Sequence, residues 1–271
     1  MSSSSDAESP GGSGRLLLDE PVPGVARLTI SNPAKSGALD HAILDGFTRI
    51  LPGLDARCMI ITGQESSFSA GYDLDGLGES ASAQEAEQLV AHPFMAALAA
   101  VEDYRFPTIA ALNGYALGGG LELAISCDLR LAVSTIALAM PPGRLGLVYS
   151  HTGIRKFVDA IGAARTRELF LTGRRIDART ARAWGLVNAL SEPDRLAADA
   201  VELAAELAAN APLAQIGNKR VIRELLEARS RLDPGTEQEL LELRRACFAS
   251  EDFREGVRAF VEKRPPRFTG R

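Results

Sequence analysis

Apolar residues follow two rhythms along the chain, short runs rich in β-branched residues in the first half and spacings of three and four in the second. The runs predict strands at Arg15 to Asp19 and Val25 to Ile30, paired across a Pro21 to Gly24 turn, and at Arg57 to Thr62, Asp128 to Val133 and Ile136 to Met140. Ser31-Asn32-Pro33 stops the second strand. Helices are predicted over Ala42 to Leu51 and over Gln84 to Val101, where Leu89, Val90, Phe94, Leu98 and Val101 share a face. From Gly162 the helical rhythm takes over, with Ala163 to Leu171, a helix capped by Asp177 that ends at Gly185, and then Glu192 to Asn210, Pro212 to Glu227 and Gly235 to Ser250. Leu186 to Leu190 is a short extended piece among them.

The chemistry concentrates in residues 107–125, PTIAALNGYALGGGLELAI. Pro107 opens a buried strand, Asn113-Gly114 supplies a turn, and Gly118, Gly119 and Gly120 precede the helical pattern Leu121, Leu123, Ala124. Three glycines let a ligand approach the backbone, and a helix starting there aims unpaired N–H groups and the positive end of its dipole at an anionic oxygen. Glu122 stands in its first turn, beside that oxygen, where a proton must move if an enolate forms. A second glycine bend, Phe68-Ser69-Ala70-Gly71-Tyr72-Asp73-Leu74, follows the strand that ends at Gly63. Two N–H groups from separate bends, converging on one oxygen, make an oxyanion hole in which each donor is worth about 3–4 kcal/mol.

The chain has 271 residues, 46% of them hydrophobic, enough for one large core. A net charge of −5 disfavours nucleic acid or an anionic membrane as partner. Cys58, Cys127 and Cys247 are scattered, without metal-ligand spacing, and read as reduced thiols in a cytoplasmic protein, with no metal expected. No apolar run approaches the ~18–20 residues of a membrane span. MSSSSDAESPGGSG, residues 1–14, lacks the basic and apolar parts of a secretory signal and is expected to be a disordered tail. Nucleophile-elbow, Walker and dinucleotide-binding patterns are absent.

FSAGYDL followed by NGYALGGGLELAISCDLRLA resembles the enoyl-CoA hydratase/isomerase (crotonase) family, and the likeness runs from about residue 15 to the end. The resemblance implies an α/β fold, a ββα superhelix of stacked sheets with surrounding helices. Residues 15–190 would form the core, and a helical region over 191–271 would build a homotrimer or a dimer of trimers. It implies an acyl-CoA substrate, with coenzyme A as part of that substrate and no separate cofactor. By the same resemblance the N–H groups of Ala70 and Gly119 are the oxyanion donors, and Glu122 matches the first of two catalytic glutamates. Gly71, Tyr72, Asp73 and Gly118 belong to the two motifs and are expected at the substrate. Lys35 is a candidate for the CoA phosphates, and Phe260 and Lys263, in FVEKR, for its adenine and phosphate end. His41 and His92 read as surface or structural histidines, His151 as a helix-start residue and Trp184 as core.

The reaction is decided in Pro141 to Gly153, PPGRLGLVYSHTG. Family hydratases carry a Pro-Glu pair there, and Pro142 occupies the glutamate's position, so the usual two-carboxylate grip on water is broken. The pattern MPPxxLGLVYSxxGI, with SEDFREGVRAFVEKRPPRF near the end, resembles the methylmalonyl-CoA decarboxylase branch, in which a tyrosine at the place of Tyr149 faces the acyl group. Tyr72 departs from that branch, which has a histidine in its AGHD loop. Two reactions stay open: decarboxylation of a malonyl-type CoA, and hydration or double-bond isomerisation with Glu122 as the only catalytic carboxylate. A non-catalytic RNA-binding relative is disfavoured by the acidic balance.

Overall fold

The computed structural model describes residues 14–73 and 83–271, with side chains described outside 83–91. The expected tail, apart from Gly14, lies outside the described residues, as do the loop from Leu74 to Leu77 and the side chains of Leu89 and Val90.

Strands β1 (Arg15–Val22) and β2 (Val25–Ser31) form an antiparallel hairpin, longer than expected because the first strand continues through Pro21. Helix α1 (His41–Ile50) follows, its first turn capped by Asp40, whose carboxylate accepts from the Ile43 N–H. The chain then repeats one unit. β3 (Cys58–Gly63) and β4 (Ser67–Ser69) lead to α2 (Ala83–Asp103); β5 (Thr108–Leu112) and β6 (Tyr115–Leu117) lead to α3 (Gly119–Ser126); β7 (Leu129–Val133) and β8 (Ala137–Ala139) lead to α4 (His151–Thr172). Each unit gives its first strand to a large sheet and its second to a small one. The turn expected at Asn113-Gly114 is present, and it separates two strands, β5 and β6, ahead of the three glycines. Asn113 holds that corner to the preceding unit, accepting from the Gly63 N–H and donating to the Glu65 carbonyl.

The large sheet has the order β1-β2-β3-β5-β7-β10, parallel from β2 onward, and closes with β10 (Ala189–Ser191). The small sheet runs β4-β6-β8-β9, ending in the antiparallel β9 (Ile176–Asp177). Parallel strands packed on both faces need continuous apolar runs, and β3 and β5 supply them: Ile60, Ile61, Ile109 and Leu112 are fully enclosed, with Phe47, Phe68 and Phe157 in the same core. The helical boundary expected at Gly162 is present as a break inside α4, where Gly162 takes φ 75°, but the stretch before it, from His151, is helical too.

Helix α5 (Ala178–Trp184) is capped by Asp177 and closed by a left-handed Gly185, as its sequence indicates. Trp184 packs half-buried against the core. The remaining elements are helices: α6 (Leu196–Ala209), α7 (Pro212–Arg229), α8 (Pro234–Ala249) and α9 (Glu251–Val261). Phe248, Phe253 and Val257 make a small separate core between α8 and α9, with Leu147 packed on it. Helix α9 rests directly on the turn Pro142–Leu145. A Cβ on Gly256 would stand 2.5 Å from the Leu145 carbonyl oxygen, and one on Gly146 would stand 2.7 Å from that of Asp252. Among the described residues, no helix is long and apolar enough to cross a membrane.

Candidate active site

The two glycine bends meet. Beyond β4, the loop is laced to residues 36–39: the Ala70 N–H donates to the Ser36 carbonyl (3.1 Å), Leu39 N–H to Gly71 (2.8 Å), and Asp73 N–H to Leu39 (3.1 Å). The last two bonds make a parallel bridge centred on Leu39 and Tyr72, in which the peptide groups of Tyr72 itself point away from Leu39. They point toward α3. The Tyr72 nitrogen is 3.3 Å from the place where a Cβ on Gly119 would stand, and a Cβ on Gly71 would be 3.4 Å from the Gly119 nitrogen. Gly71, at φ 105°, and Gly118, at φ 51° and ψ −121°, hold conformations that side-chain-bearing residues rarely adopt. Gly118 caps α3 without a side chain, and the first N–H groups of that helix have no partner within it.

This arrangement corrects one expectation. The amide of Ala70 is engaged by Ser36, so Ala70 is not the donor that faces the second bend. The backbone nitrogen that stands beside Gly119 belongs to Tyr72, two residues on. The Tyr72 ring lies edge-on to His41 and to Phe94, each at 6.3 Å. Its phenol is pushed up to about 12, by burial first and then by the charges of Asp73 and Asp40, so it stays protonated at neutral pH.

Glu122 lies in the first turn of α3 and is only 3% exposed. Its two oxygens face different partners. Tyr149 donates its hydroxyl to Oε2 at 2.5 Å, and Lys156 Nζ stands 3.7 Å from Oε1. Lys156 also meets Glu102 Oε1 at 2.5 Å and donates to Ser126 Oγ at 2.8 Å, while Ser126 donates back to the Glu122 carbonyl. Burial pushes the Glu122 carboxyl above its ordinary range, against the opposing pull of Lys156, the Tyr149 hydroxyl and Arg244, with Glu102 adding to the rise. The Tyr149 phenol is raised well above its ordinary value, by desolvation and then by the charge of Glu122.

Tyr149 is half-buried, with its ring edge-on to Phe170 at 5.7 Å, and it borders a groove of about 650 Å³ shared with Val148, His151, Ile154, Leu232 and Leu240. His151 starts α4, as expected, and faces Glu237 of α8 at 3.4 Å. Pro142 is buried at the start of its turn and brings no ionisable group. Among the described residues, no cluster of three His, Cys, Asp or Glu side chains is placed to hold a metal ion.

The outer candidates are more scattered. Lys35 Nζ is paired with Asp73 Oδ2 at 2.7 Å, which fastens the two loops together beside the first bend. Phe260 is 62% exposed near the end of α9, and Lys263, exposed with φ 53°, lies just beyond it. Both are carried by the helix that rests on the Pro142–Leu145 turn. Sequence reasoning missed Lys156, Glu102, Ser126 and Gly153. Gly153 is in the first turn of α4, where a Cβ would press within 2.8 Å of both Glu122 Oε1 and Tyr149 Cε1. The one signal for Lys156 was its position next to the buried stripe Gly153, Phe157, Ile161.

Comparison with known proteins places this geometry. The family model for enoyl-CoA hydratase/isomerase matches residues 21–271. A Bacillus subtilis protein named for enoyl-CoA hydratase/isomerase is 35% identical over 252 residues, covering 91% of this chain and 95% of that one. Carnitinyl-CoA dehydratase of Salmonella typhi is 34% identical over 256 residues, covering 91% and 95%. A solved structure of methylmalonyl-CoA decarboxylase in complex with 2-nitronate-propionyl-CoA superposes with a TM-score of 0.87 at 29% identity, over 95% of this chain and 99% of that one. With a family model spanning the repeated ββα units and both glycine bends, the chain belongs to the enoyl-CoA hydratase/isomerase family and is an enzyme acting on acyl-CoA.

Proposed function

We propose that the enzyme decarboxylates a malonyl-type acyl-CoA through an enolate held between the two glycine bends. The thioester carbonyl oxygen accepts from the N–H groups of Tyr72 and Gly119, the pair brought together by the close packing of Gly71 on α3. The bond from Cα to the substrate carboxylate breaks, CO2 leaves, and the electron pair passes into the enolate, whose charge settles on the gripped oxygen. Cα then takes a proton, and the acyl-CoA product is released. Tyr149 orients the departing carboxylate with the hydroxyl it otherwise gives to Glu122, and Glu122, whose buried carboxyl holds its proton more tightly than usual, supplies the proton.

The observation that carries this reading is the partner of Glu122. It is a phenol, Tyr149, while the place of a second carboxylate is filled by Pro142. Loss of CO2 makes an enolate without a base and without an activated water, which suits a site so equipped. An ionised Glu122 would oppose a substrate carboxylate, and burial works against that ionisation. The superposition on methylmalonyl-CoA decarboxylase supports the same reading.

A second reading rests on Lys156. By holding positive charge 3.7 Å from Glu122, it favours the carboxylate form, which suits a one-carboxylate hydratase or double-bond isomerase; carnitinyl-CoA dehydratase is a relative in keeping with it. The test is to offer the purified protein crotonyl-CoA, methylmalonyl-CoA and ethylmalonyl-CoA separately and follow products by mass. Loss of CO2 from the branched malonyl thioesters, with little hydration of crotonyl-CoA, is the expected result; the reverse preference overturns decarboxylation.

Coenzyme A enters this scheme as part of the substrate, with Lys35, Asp73, Phe260 and Lys263 as its proposed contacts. Assembly into a homotrimer, or a dimer of trimers, belongs to the same proposal. It is supported by α7, which buries none of its residues within the chain and exposes Leu213, Val221, Ile222 and Leu225.

A further inference from the structure

Glu122 is reached from two directions, and only one of them is the face toward Tyr149. Lys156, nearly two turns into α4, has a side chain that is 14% exposed and lies between α2, α3 and α4, on the wall of a small cleft. Among the described residues its polar contacts are Glu102 on α2, Ser126 on α3 and Glu122 itself. The Ser126 hydroxyl, which accepts from Lys156, donates in turn to the Glu122 carbonyl, so the same cation is tied to both the backbone and the carboxylate of that residue.

A purely structural link between helices does not require a charge here, since an apolar side chain of similar volume packs between them as well. The placement has a sharper use. We infer that Lys156 is a positioning residue that acts through Glu122, holding Oε1 and the charge of that carboxylate from behind while Tyr149 occupies Oε2. Glu102 completes the device. It neutralises Lys156 at 2.5 Å and, one-third exposed, stands at the edge of a smaller cleft of about 290 Å³ that also reaches Ser126, Asp128, Arg155, Asp159 and Lys219.

The groups that bear on Glu122 are then Lys156 from α4, Tyr149 from the preceding loop, Glu102 from α2 and Arg244 from α8. Lys156 and Glu102 pull its proton affinity in opposite directions. The pair sets the balance between the protonated form that decarboxylation uses and the ionised form that hydration would use. The inference rests on the proposed role of Glu122 as the proton-handling group, whichever of the two reactions it serves.

The test needs no turnover. The full-length protein, labelled with 13C at glutamate side-chain carboxyls, is titrated by NMR, with Glu122→Gln assigning the resonance. Lys156→Met is expected to move the Glu122 titration upward by about one pH unit or more. Lys156→Arg is expected to restore it most of the way, and Glu102→Gln, at a partly exposed position that the fold tolerates, to move it downward. A Glu122 titration that stays put in folded Lys156→Met, or in Glu102→Gln if the lysine variant does not fold, overturns the inference. The acyl-CoA product assay is separate: its failure would sink the proposed reaction and leave the titration result standing.

Discussion

Gly153 leaves no room beside Glu122: a single methyl group there would stand 2.8 Å from the carboxylate's Oε1 and equally close to the ring of Tyr149. Alanine is the better helix former by about 1 kcal/mol in a helix interior, but here its methyl would also stand 2.8 Å from Oγ of Ser150, the side chain that caps α4. It also drives apart the two side chains whose hydrogen bond defines the site. A displacement approaching 1 Å at reacting groups costs about 100-fold in rate. The expected outcome is a kcat/KM reduced by about one to two orders of magnitude and a stability lowered by about 1–3 kcal/mol through overpacking, measured by product mass and by calorimetry.

Tyr149→Phe removes one hydroxyl and little volume. Decarboxylation is expected to fall by about 10- to 1000-fold, the range spanned by losing one positioned donor or acid. Glu122, stripped of the hydrogen bond that favours its ionised form, moves further above its ordinary range. A variant that releases CO2 at the parental rate removes Tyr149 from the mechanism.

Glu122→Gln separates function from stability. A buried carboxyl whose folded-state proton affinity is raised costs nothing below the ordinary glutamate range, where folded and unfolded chains are both protonated. As pH rises past the unfolded value the unfolded chain ionises first, so the folded state loses relative stability, and the loss is complete above the folded value. The glutamine variant, free of this penalty, is expected to be inactive and yet to melt higher than the parent at pH 8. The difference should shrink as the pH drops toward 4, in melting curves collected across that window.

Leu225→Arg on α7 tests the assembly. The residue is 67% exposed on a helix with no fully buried residue, so the folded subunit loses little from the change. A trimer built on that face would lose an apolar contact and gain a desolvated charge. Light scattering is expected to show a shift toward smaller species in the variant; an unchanged mass places the interface elsewhere.

Much of the scaffold was readable before any coordinates. The strands expected at Val25 to Ile30 and Arg57 to Thr62 are present as β2 and β3, β3 buried almost throughout and β2 alternating between buried and half-buried positions, and Asp177 with Gly185 brackets α5 as capping chemistry requires. Where reading along the chain went astray, the deciding information lay across it. The turn at Asn113-Gly114 was legible, but the strand beyond it joins a second sheet, a corner that Asn113 fixes through Gly63 and Glu65, about fifty positions away. The resemblance makes Ala70 a donor, whereas its amide is taken by Ser36, a pairing that no local pattern announces. Lys156 and Glu102 lie 54 positions apart in numbering and meet only because α2 and α4 both pack on α3. Tyr149 and Pro142, by contrast, stood out because one short segment holds them both.

The seating of α9 on the Pro142–Leu145 turn gives the chain a mechanical property as well as a shape. Gly146 and Gly256 bring main chain against main chain, with no pliable side chain in between to soak up movement. Leu147, two residues before Tyr149, is wedged into the same small core that anchors the helix. Anything that tilts the last helix therefore works as a lever on the Tyr149 phenol, and engineering at that far surface should be judged by turnover and not by folding alone.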